Sequence, residues 1–311
     1  MSRLQTLGYH AEMLGWNAYQ GLFRSMSLER ASNLGASLLK RIGPLASVQN
    51  VARVNMQIAF PEANEREIDR LLVAMWDNFG RLLGEFPNTH RFDYSHASEQ
   101  IITEGVDILS EFERQGQPVV LVGGHFANWE VMPAVIVRHM RDCRITYRHA
   151  NNPLIDNAII SQRAAYGVRI FAPKGGQGAK AIMKALKEGA SVALMNDQKM
   201  NDGIAAPFFG REAMTASGPS RMALKFDCPI IPMGIQRLDG ARFKVTLHEP
   251  LEKPAKNDPD ATLKLVTKIN EFVEAEIRRA PSQWFWVHRR FEKPLYRKAA
   301  KSSDSVDSGS I

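Results

Sequence analysis

One stretch decides the fold of this chain, and it reads Pro118-Val119-Val120-Leu121-Val122-Gly123-Gly124-His125-Phe126-Ala127-Asn128-Trp129-Glu130. The short apolar run predicts a buried strand, and the two glycines after it allow a sharp turn. His125 and Glu130 then follow at an H-x4-E spacing. A histidine at a strand end can remove a proton from a hydroxyl, and a carboxylate beside it can hold the ring in the useful tautomer. The stretch therefore predicts a strand, a turn and a helix, with His125 as a general base and Glu130 as the acid that orients it.

The spacing alone is weak evidence for a catalytic site. With 8 histidines and 33 acidic residues in the chain, chance produces about one such match, and His125 provides the single match found. The alternative interpretation is an ordinary loop histidine followed by a first-turn glutamate that the helix dipole favours. The order of strand, glycine turn, motif and helix favours the functional interpretation, but the local sequence leaves both open.

Working outward from this stretch, short apolar runs alternate with amphipathic segments from about residue 100 onward. The predicted strands are 118–123, 144–149, 168–172, 191–196, 229–236 and 242–248. The predicted helices are 129–141, 155–166, 177–188, 217–226 and 262–279. This alternation predicts an α/β fold with a mixed central sheet flanked by helices.

The region before this core, residues 1–95, reads as helical, with Asn64 and Glu67 spaced as a capping box. The apolar residues that follow recur at helical spacing and predict core packing. We expect residues 96–297 to form the α/β core, continuous with the helical region as one domain. Residues 298–311 are rich in Ser, Lys and Asp, a composition that predicts a disordered tail.

Composition limits the functional classes. The chain has 311 residues, 44% of them hydrophobic and 23% charged, as is typical of a globular protein. Its two cysteines, Cys143 and Cys228, indicate a reducing compartment, and their apolar surroundings predict burial rather than nucleophilic chemistry. The net charge of +7 and the pI of about 9.4 favour an anionic lipid or an acidic protein as partner. No nucleic-acid-binding module is recognisable, so we expect no nucleic-acid partner.

The first residues point to a membrane surface. No run approaches 18 apolar residues, so the sequence predicts no strong transmembrane helix. Residues 4–26 nevertheless combine leucines with Tyr9, Trp16 and Tyr19 and few charges, a pattern typical of a helix lying in a membrane interface. An amphipathic core helix is the alternative.

Four further segments give the motif a specific context. They are Asn55 to Glu62 (NMQIAFPE); Tyr147-Arg148 with Asn152 to Asp156 and Arg163; Asn196-Asp197-Gln198 with Pro207 to Gly210, Ala213 and Thr215; and Pro281 to Phe291 (PSQWFWVHRRF). Together with His125 and Glu130, from about residue 10 to 295, they resemble the bacterial lipid A late acyltransferases. This is the lauroyl/myristoyl transferase family within the lysophospholipid acyltransferase superfamily.

The chain departs from this family in two places. Members usually begin with a more convincing single transmembrane helix. After the Tyr147-Arg148 pair, they often have Pro-Leu where this chain has His149-Ala150. The first departure concerns the mode of membrane attachment, and the second concerns the acceptor pocket.

The resemblance implies an acyltransferase-like fold and a defined reaction. Family members transfer a fatty acyl chain from acyl carrier protein to a hydroxyl on a hydroxyacyl chain of a lipid A precursor, at the cytoplasmic face of the inner membrane. The product is an acyloxyacyl ester. Because a thiolate is a good leaving group, the reaction requires no metal, and we expect no cofactor.

The implied site residues follow from this chemistry. His125 is the candidate base and Glu130 its orienting acid. Arg163 and the backbone N–H groups around Gly123, Gly124 and the following helix start are candidates to stabilise the thioester oxyanion. For Arg163, a surface role on its helix is the alternative.

Two further residues are substrate-binding candidates. Arg148 binds an acceptor phosphate or caps a strand end. Asp197 positions Arg163 or the acceptor, or is a turn residue. In the 284–290 segment, the two tryptophans are expected to pack, whereas the basic residues suit an interface.

Three rival functions remain open at the level of sequence. In the first, the protein is an acyltransferase, but the acceptor of the acyl chain is another membrane glycolipid or aminolipid. Alternatively, His125 and Glu130 are metal ligands of a hydrolase, although no further ligand pair at a recognisable spacing is present. The third possibility is a non-enzymatic lipid-binding protein.

Overall fold

The structure is a computed structural model that describes residues 3–173, 176–255 and 257–297. The predicted disordered tail, 298–311, lies outside the described residues. The α-helices are α1 (Arg3–Arg24), α2 (Leu28–Ile42), α3 (Val48–Ala59), α4 (Glu65–Glu85), α5 (Asp107–Gln115), α6 (Val131–His139), α7 (Pro153–Ala164), α8 (Gly176–Lys187), α9 (Gly218–Phe226) and α10 (Ala261–Arg279). The strands are β1 (Ile101–Glu104), β2 (Val120–Gly123), β3 (Cys143–Tyr147), β4 (Phe171–Pro173), β5 (Ser191–Met195), β6 (Lys199–Phe208), β7 (Arg211–Thr215), β8 (Ile230–Arg237) and β9 (Phe243–Leu247). Short 3-10 helices span Gly43–Leu45, Phe86–Arg91 and Pro281–Gln283.

Seven strands form one mixed sheet in the order β1-β9-β8-β2-β5-β3-β4. The strands β8, β2, β5, β3 and β4 are parallel, whereas β9 is antiparallel to β8 and parallel to β1. This confirms the predicted α/β class with a mixed central sheet, flanking helices and a helical N-terminal region.

The central strand β2 is covered on both faces, and all four of its residues are buried. Val120 and Val122 contribute to one apolar cluster, and Leu121 between them contributes to the other. This alternation is the period of two expected of a strand, with a layer of helices on each side.

A capping box and one close contact between helices stabilise the helical N-terminal region. Asn64 and Glu67 form the predicted capping box at the start of α4, with bonds of 3.1 and 2.8 Å. Further along, α4 approaches α2 so closely that a side chain at Gly80 would meet the backbone of Gly35, which only glycine avoids. The domain boundary near residue 95 stays a prediction.

Helix α1 has one packed side and one exposed side. Tyr19 donates a 2.7 Å hydrogen bond to the carbonyl of Leu83, whereas Leu4, Leu7 and Leu14 are each more than two-thirds exposed. In the part of the chain that the structure describes, no helix has both the length and the apolar character needed to cross a bilayer. Attachment of α1 to a membrane surface stays a prediction.

Each of the six predicted strands and five predicted helices of the core has a counterpart in the structure, within a few residues at the ends. The sequence did not predict β1, α5 or the two-stranded sheet of β6 and β7. In the C-terminal segment, Trp284 and Trp286 are buried as predicted. Arg290 is also fully buried, where it donates to Met214 and Thr215 of β7, so the expected interface role is wrong for this residue.

Candidate active site

The candidate site lies where three neighbouring strands end. The strands β2, β5 and β3 are parallel neighbours, so their carboxyl ends lie at the same edge of the sheet. His125 follows β2, Asp197 follows β5 and Arg148 follows β3. This edge is where ligand sites of open α/β sheets form.

His125 and Asp197 form a tight couple. The ring Nδ1 of His125 lies 2.8 Å from Oδ1 of Asp197, and the backbone N–H of His125 donates to Oδ2 at the same distance. The indole of Trp284 donates a third 2.8 Å hydrogen bond to this carboxylate. Because Nδ1 faces a carboxylate, we assign the proton of the neutral ring to Nδ1, which leaves Nε2 able to accept one.

The charge of Asp197 is stabilised despite its burial. Only 1% of the residue is exposed, and burial by itself would raise the pKa of the carboxyl group. The adjacent His125 and the hydrogen bonds from His125 and Trp284 outweigh burial and hold the pKa of Asp197 well below its usual range. The couple therefore keeps a negative charge behind the ring, where it can stabilise an imidazolium.

This arrangement corrects the role predicted for Glu130. The sequence predicts Glu130 as the acid that orients His125, but the structure gives this position to Asp197. Glu130 instead accepts two hydrogen bonds from Arg163, at 2.9 and 2.6 Å, and one from the hydroxyl of Tyr166 at 3.3 Å. Five positions along a turn do not fix a distance between two side chains, so a general-base couple cannot be assigned from the spacing alone.

Arg163 is a largely buried cation, and some of its N–H donors are not used by its partner Glu130. It lies on α7, and its side chain is 13% exposed. Its guanidinium lies over the ring of Tyr147, at 4.5 Å from the ring centre. Burial alone would lower the pKa of Arg163, but the carboxylate of Glu130 raises it above its usual range. A guanidinium has five N–H donors, and Glu130 occupies two of them.

The turn between His125 and Glu130 is fastened by the C-terminal segment. Ala127 has φ = 43°, in the left-handed region that residues other than glycine rarely adopt. Its N–H donates to the carbonyl of Gln283 at 2.8 Å, and Phe285 donates to the carbonyl of His125 at 3.0 Å. These bonds explain how a sequence-distant segment, residues 283–285, holds the motif in a strained conformation.

Three backbone N–H groups of the turn have partners within the protein, whereas the predicted oxyanion site at the N–H groups around Gly123, Gly124 and the following helix start stays a prediction. The N–H groups of His125, Phe126 and Ala127 donate to Asp197, Gly124 and Gln283 respectively, so they are occupied. Gly123 is among the residues that line the adjoining cavity, whereas Gly124 packs against the ring of Phe126. A substrate-binding role of Gly124 stays a prediction, and its structural reason for being glycine is the closeness of that ring.

A cavity of about 240 Å³ opens at this site. Its polar lining comprises His125, Glu130, Thr146, Tyr147, Arg148 and Arg163. Its apolar lining comes mainly from strand interiors and α6, and comprises Leu121, Val122, Met132, Pro133, Ile136, Ile145, Phe171, Ala193, Leu194, Met195 and Met233. Charged groups at strand ends and apolar groups deeper in the sheet suit a ligand with a polar reacting end and an apolar chain.

Arg148 lies at the exposed rim of this cavity. Within residues 3–173, 176–255 and 257–297, no ion pair involves Arg148. The guanidinium is therefore accessible to a ligand, and the two predicted roles of Arg148, substrate binding and strand capping, both stay predictions.

The remaining predicted features concern cysteines and metals. Cys143 and Cys228 are both buried and unpaired, as predicted, and burial raises the pKa of each thiol. Such thiols are poor nucleophiles. Among the described residues, no three His, Cys, Asp or Glu side chains come together as a metal site.

Sequence reasoning did not find three contacts of the site. Tyr166 bonds to Glu130, Trp284 bonds to Asp197, and the ring of Trp129 lies 5.1 Å from that of His125. The position of Asp197 at the end of an apolar run was the available signal that it belongs beside His125. No local pattern marks Tyr166.

A model of the bacterial lipid A biosynthesis acyltransferases matches residues 4–293, which is nearly the whole sequence. The chain belongs to this family. The match includes the strand ends, the cavity and the C-terminal segment that fastens the motif.

Individual relatives agree with this assignment. The chain is 24% identical over 261 residues to the lipid A biosynthesis palmitoleoyltransferase of Escherichia coli K12, covering 81% of this chain and 83% of that protein. It is 27% identical over 243 residues to the lipid A biosynthesis lauroyltransferase of the same organism, with 76% and 77% covered. A lipid A biosynthesis acyltransferase of Haemophilus influenzae is 26% identical over 247 residues, with 78% and 76% covered. An acyltransferase activity in lipid A biosynthesis is thus supported by family and relatives together.

Proposed function

We propose that this protein transfers a fatty acyl chain from acyl carrier protein to a hydroxyl on a hydroxyacyl chain of a lipid A precursor. The observation that carries the proposal is the His125–Asp197 couple at the edge of a cavity with an apolar interior. A base, a buried counter-charge and an apolar groove are what transfer of an acyl chain to an alcohol requires.

The chemical step begins at Nε2 of His125. This nitrogen takes the proton of the acceptor hydroxyl as the oxygen attacks the thioester carbonyl carbon, and Asp197 stabilises the imidazolium that forms. The tetrahedral intermediate then expels the thiolate, which receives the proton from His125. One C–O bond forms and one C–S bond breaks, and the histidine returns to its neutral state.

We assign stabilisation of the oxyanion of this intermediate to Arg163. Two of its N–H groups are held by Glu130 and the others are left to a ligand, in a site where several backbone amides are already bonded. Glu130 acts on the reaction through this arginine: it fixes the guanidinium plane and keeps the cation in place despite its burial. A preorganised donor of this kind typically contributes 100- to 1000-fold, about 3–4 kcal/mol, to kcat.

The proposed partners are inferred from the net charge of the chain and from the exposed leucines of α1. A chain with a net charge of +7 is attracted to an acidic carrier protein and to anionic lipids. The exposed leucines of α1 would contact the lipid surface. We place the reaction at the cytoplasmic face of the inner membrane, where both the carrier protein and the lipid acceptor are accessible.

The proposal is tested by reconstituting the reaction. The full chain, supplied with acyl carrier protein loaded with a defined acyl chain and with a lipid A precursor, should add one acyl group to the lipid. Mass spectrometry of the lipid measures the addition and the length of the chain. The same acyl chain presented on coenzyme A should react more slowly if the carrier protein is recognised.

Variants of the couple identify the mechanism. His125→Ala and Asp197→Asn should each lower kcat by about 1000-fold or more, as loss of a triad member does. His90→Gln, which changes an exposed histidine outside the site, is the matched control and should retain full turnover. Wild-type turnover by His125→Ala would overturn the general-base assignment.

A further inference from the structure

A second histidine–aspartate couple lies beside the cavity and has no part in the chemical step. Nδ1 of His149 lies 2.7 Å from Oδ2 of Asp156. The other oxygen of Asp156 accepts from the hydroxyl of Tyr147 and from the N–H of Ala150, each at 2.8 Å. Hydrogen bonds from His149, Ala150 and Tyr147 lower the pKa of Asp156 although burial opposes this. A largely buried carboxylate thus orients the ring of His149 and also binds Tyr147 and the backbone of Ala150.

The ring that it holds is exposed. The side chain of His149 is 58% exposed, whereas that of Asp156 is 11% exposed. With Nδ1 facing the carboxylate, Nε2 is directed away from Asp156 and is the atom available to a ligand. A surface histidine does not need a buried carboxylate to orient its ring. The bond to Asp156 therefore indicates that the ring of His149 is oriented for binding.

The couple adjoins two residues that line the cavity, Tyr147 and Arg148. The ring of His149 contacts that of Tyr147 at 5.5 Å, and the guanidinium of Arg163 lies over the same Tyr147 ring at 4.5 Å. Arg148, which lines the cavity, is the residue between the two rings in the chain. Arg148 and His149 are therefore consecutive, exposed residues next to the opening of the cavity.

The loop that carries them is joined to α1. Asn152 donates to the carbonyl of Tyr9 and to the carboxylate of Glu12, both at 2.9 Å. On the same helix, Leu4, Leu7 and Leu14 are exposed. The loop next to the cavity is thus bonded to the helix that we expect to contact a lipid surface.

We propose that His149, oriented by Asp156, forms with Arg148 an anion-binding rim that takes a phosphate group of the glycolipid acceptor. Guanidinium and imidazolium groups both donate to phosphate oxygens, and charge-assisted bonds of this kind are the strong ones. The proposal rests on the proposed function and names the part of the acceptor that this rim binds. It assigns a role to His149 at the position where the chain departs from the Pro-Leu of its family.

The experiment compares His149→Leu with wild type on an acceptor that carries its phosphates and on the same acceptor after phosphatase treatment. We expect the acceptor KM of the variant to rise about tenfold or more on the phosphorylated acceptor, since a bond to a charged partner is worth at least that factor. On the dephosphorylated acceptor the two enzymes should have the same KM. His149→Gln, which keeps an N–H donor, should recover part of the loss, and kcat should change little throughout.

The donor provides the discriminating arm, because the phosphopantetheine arm of a carrier protein also contains a phosphate. The KM for acyl carrier protein should be equal in wild type and His149→Leu, and a rise confined to the donor would overturn the assignment to the acceptor. Equal acceptor KM values for both enzymes on the phosphorylated lipid would overturn the proposal itself. His90→Gln is again the control.

Failure of the proposed function is distinguishable from failure of this inference. If wild type transfers no acyl chain, equilibrium binding of the phosphorylated acceptor in detergent micelles still tests the rim. Weaker binding by His149→Leu than by wild type supports the rim, and equal binding overturns it.

Discussion

Two buried glutamate–arginine pairs have the same chemistry but different surroundings. Glu85 and Arg237 meet through two hydrogen bonds, at 2.5 and 3.0 Å, and Glu130 and Arg163 also meet through two, at 2.9 and 2.6 Å. The first pair is sealed, with Glu85 completely buried. The second borders the cavity.

The remaining hydrogen-bonding capacity separates the two pairs. Arg237 also donates to Asn78 and to the carbonyl of Gly240, so four of its five N–H groups are used. Glu85 also accepts from Ser32, and from Asn128 inside the motif turn. The protein thus uses all but one of the N–H groups of Arg237, and Glu85 also holds Asn128 of the motif turn. Arg163 instead has three N–H groups that are not bonded to Glu130. We therefore propose a structural role for the first pair, because the fold uses most of its donors, and a catalytic role for the second, because its remaining donors border a cavity.

The largest effect is expected from Glu85→Ala. Removing one partner leaves the charge of Arg237 buried and uncompensated, which costs about 3–5 kcal/mol. Urea denaturation followed by circular dichroism measures the free energy of unfolding. A loss below about 1 kcal/mol would contradict the structural role of the sealed pair.

Arg163→Ala should affect catalysis rather than folding. Loss of the oxyanion donor should lower kcat by about 100- to 1000-fold. The free energy of unfolding should fall less than in Glu85→Ala, because water in the cavity can solvate Glu130. Steady-state kinetics and urea denaturation on the same preparation separate the two effects. Equal stability losses in the two variants would remove the distinction between the pairs.

Glu130→Gln should have a smaller effect of the same kind. The amide keeps one acceptor for Arg163 but loses the charge, and a lost charge-assisted hydrogen bond corresponds to about a 10- to 100-fold lower kcat. If Glu130 instead oriented His125 directly, its loss would equal that of Asp197→Asn. Measuring the two variants side by side decides between these roles.

The smallest effect is expected from an exposed acid–arginine pair. Asp239 and Arg242 lie 3.1 Å apart with about half or more of each side chain exposed. Asp239→Asn should change the free energy of unfolding by less than about 0.5 kcal/mol. A change as large as that of Glu85→Ala would show that burial is not what distinguishes these pairs.

The elements that could be predicted are those with a strong local pattern. The run Val119 to Val122 has the apolar character of a buried strand, and α10 repeats its apolar residues at helical spacing, so both were found. The strand β6 was not, because its sequence contains Asn201-Asp202-Gly203, which is typical of a turn. The strand β1 has four residues and pairs at the sheet edge with β9, which is too short to give a periodic signal.

The sequence by itself determined the strand before the motif, most strands and helices of the core, and His125 as the candidate base, because these depend on neighbours in the chain. Only the tertiary structure decided which acid serves that base. Pairing of β2 with β5 brings Asp197 to His125 across 72 positions of sequence, whereas Glu130, five positions away, turns with the start of α6 toward Arg163. Hydrogen bonds follow distance in space, and distance in space between strand ends is set by the pairing of the sheet rather than by spacing along the chain.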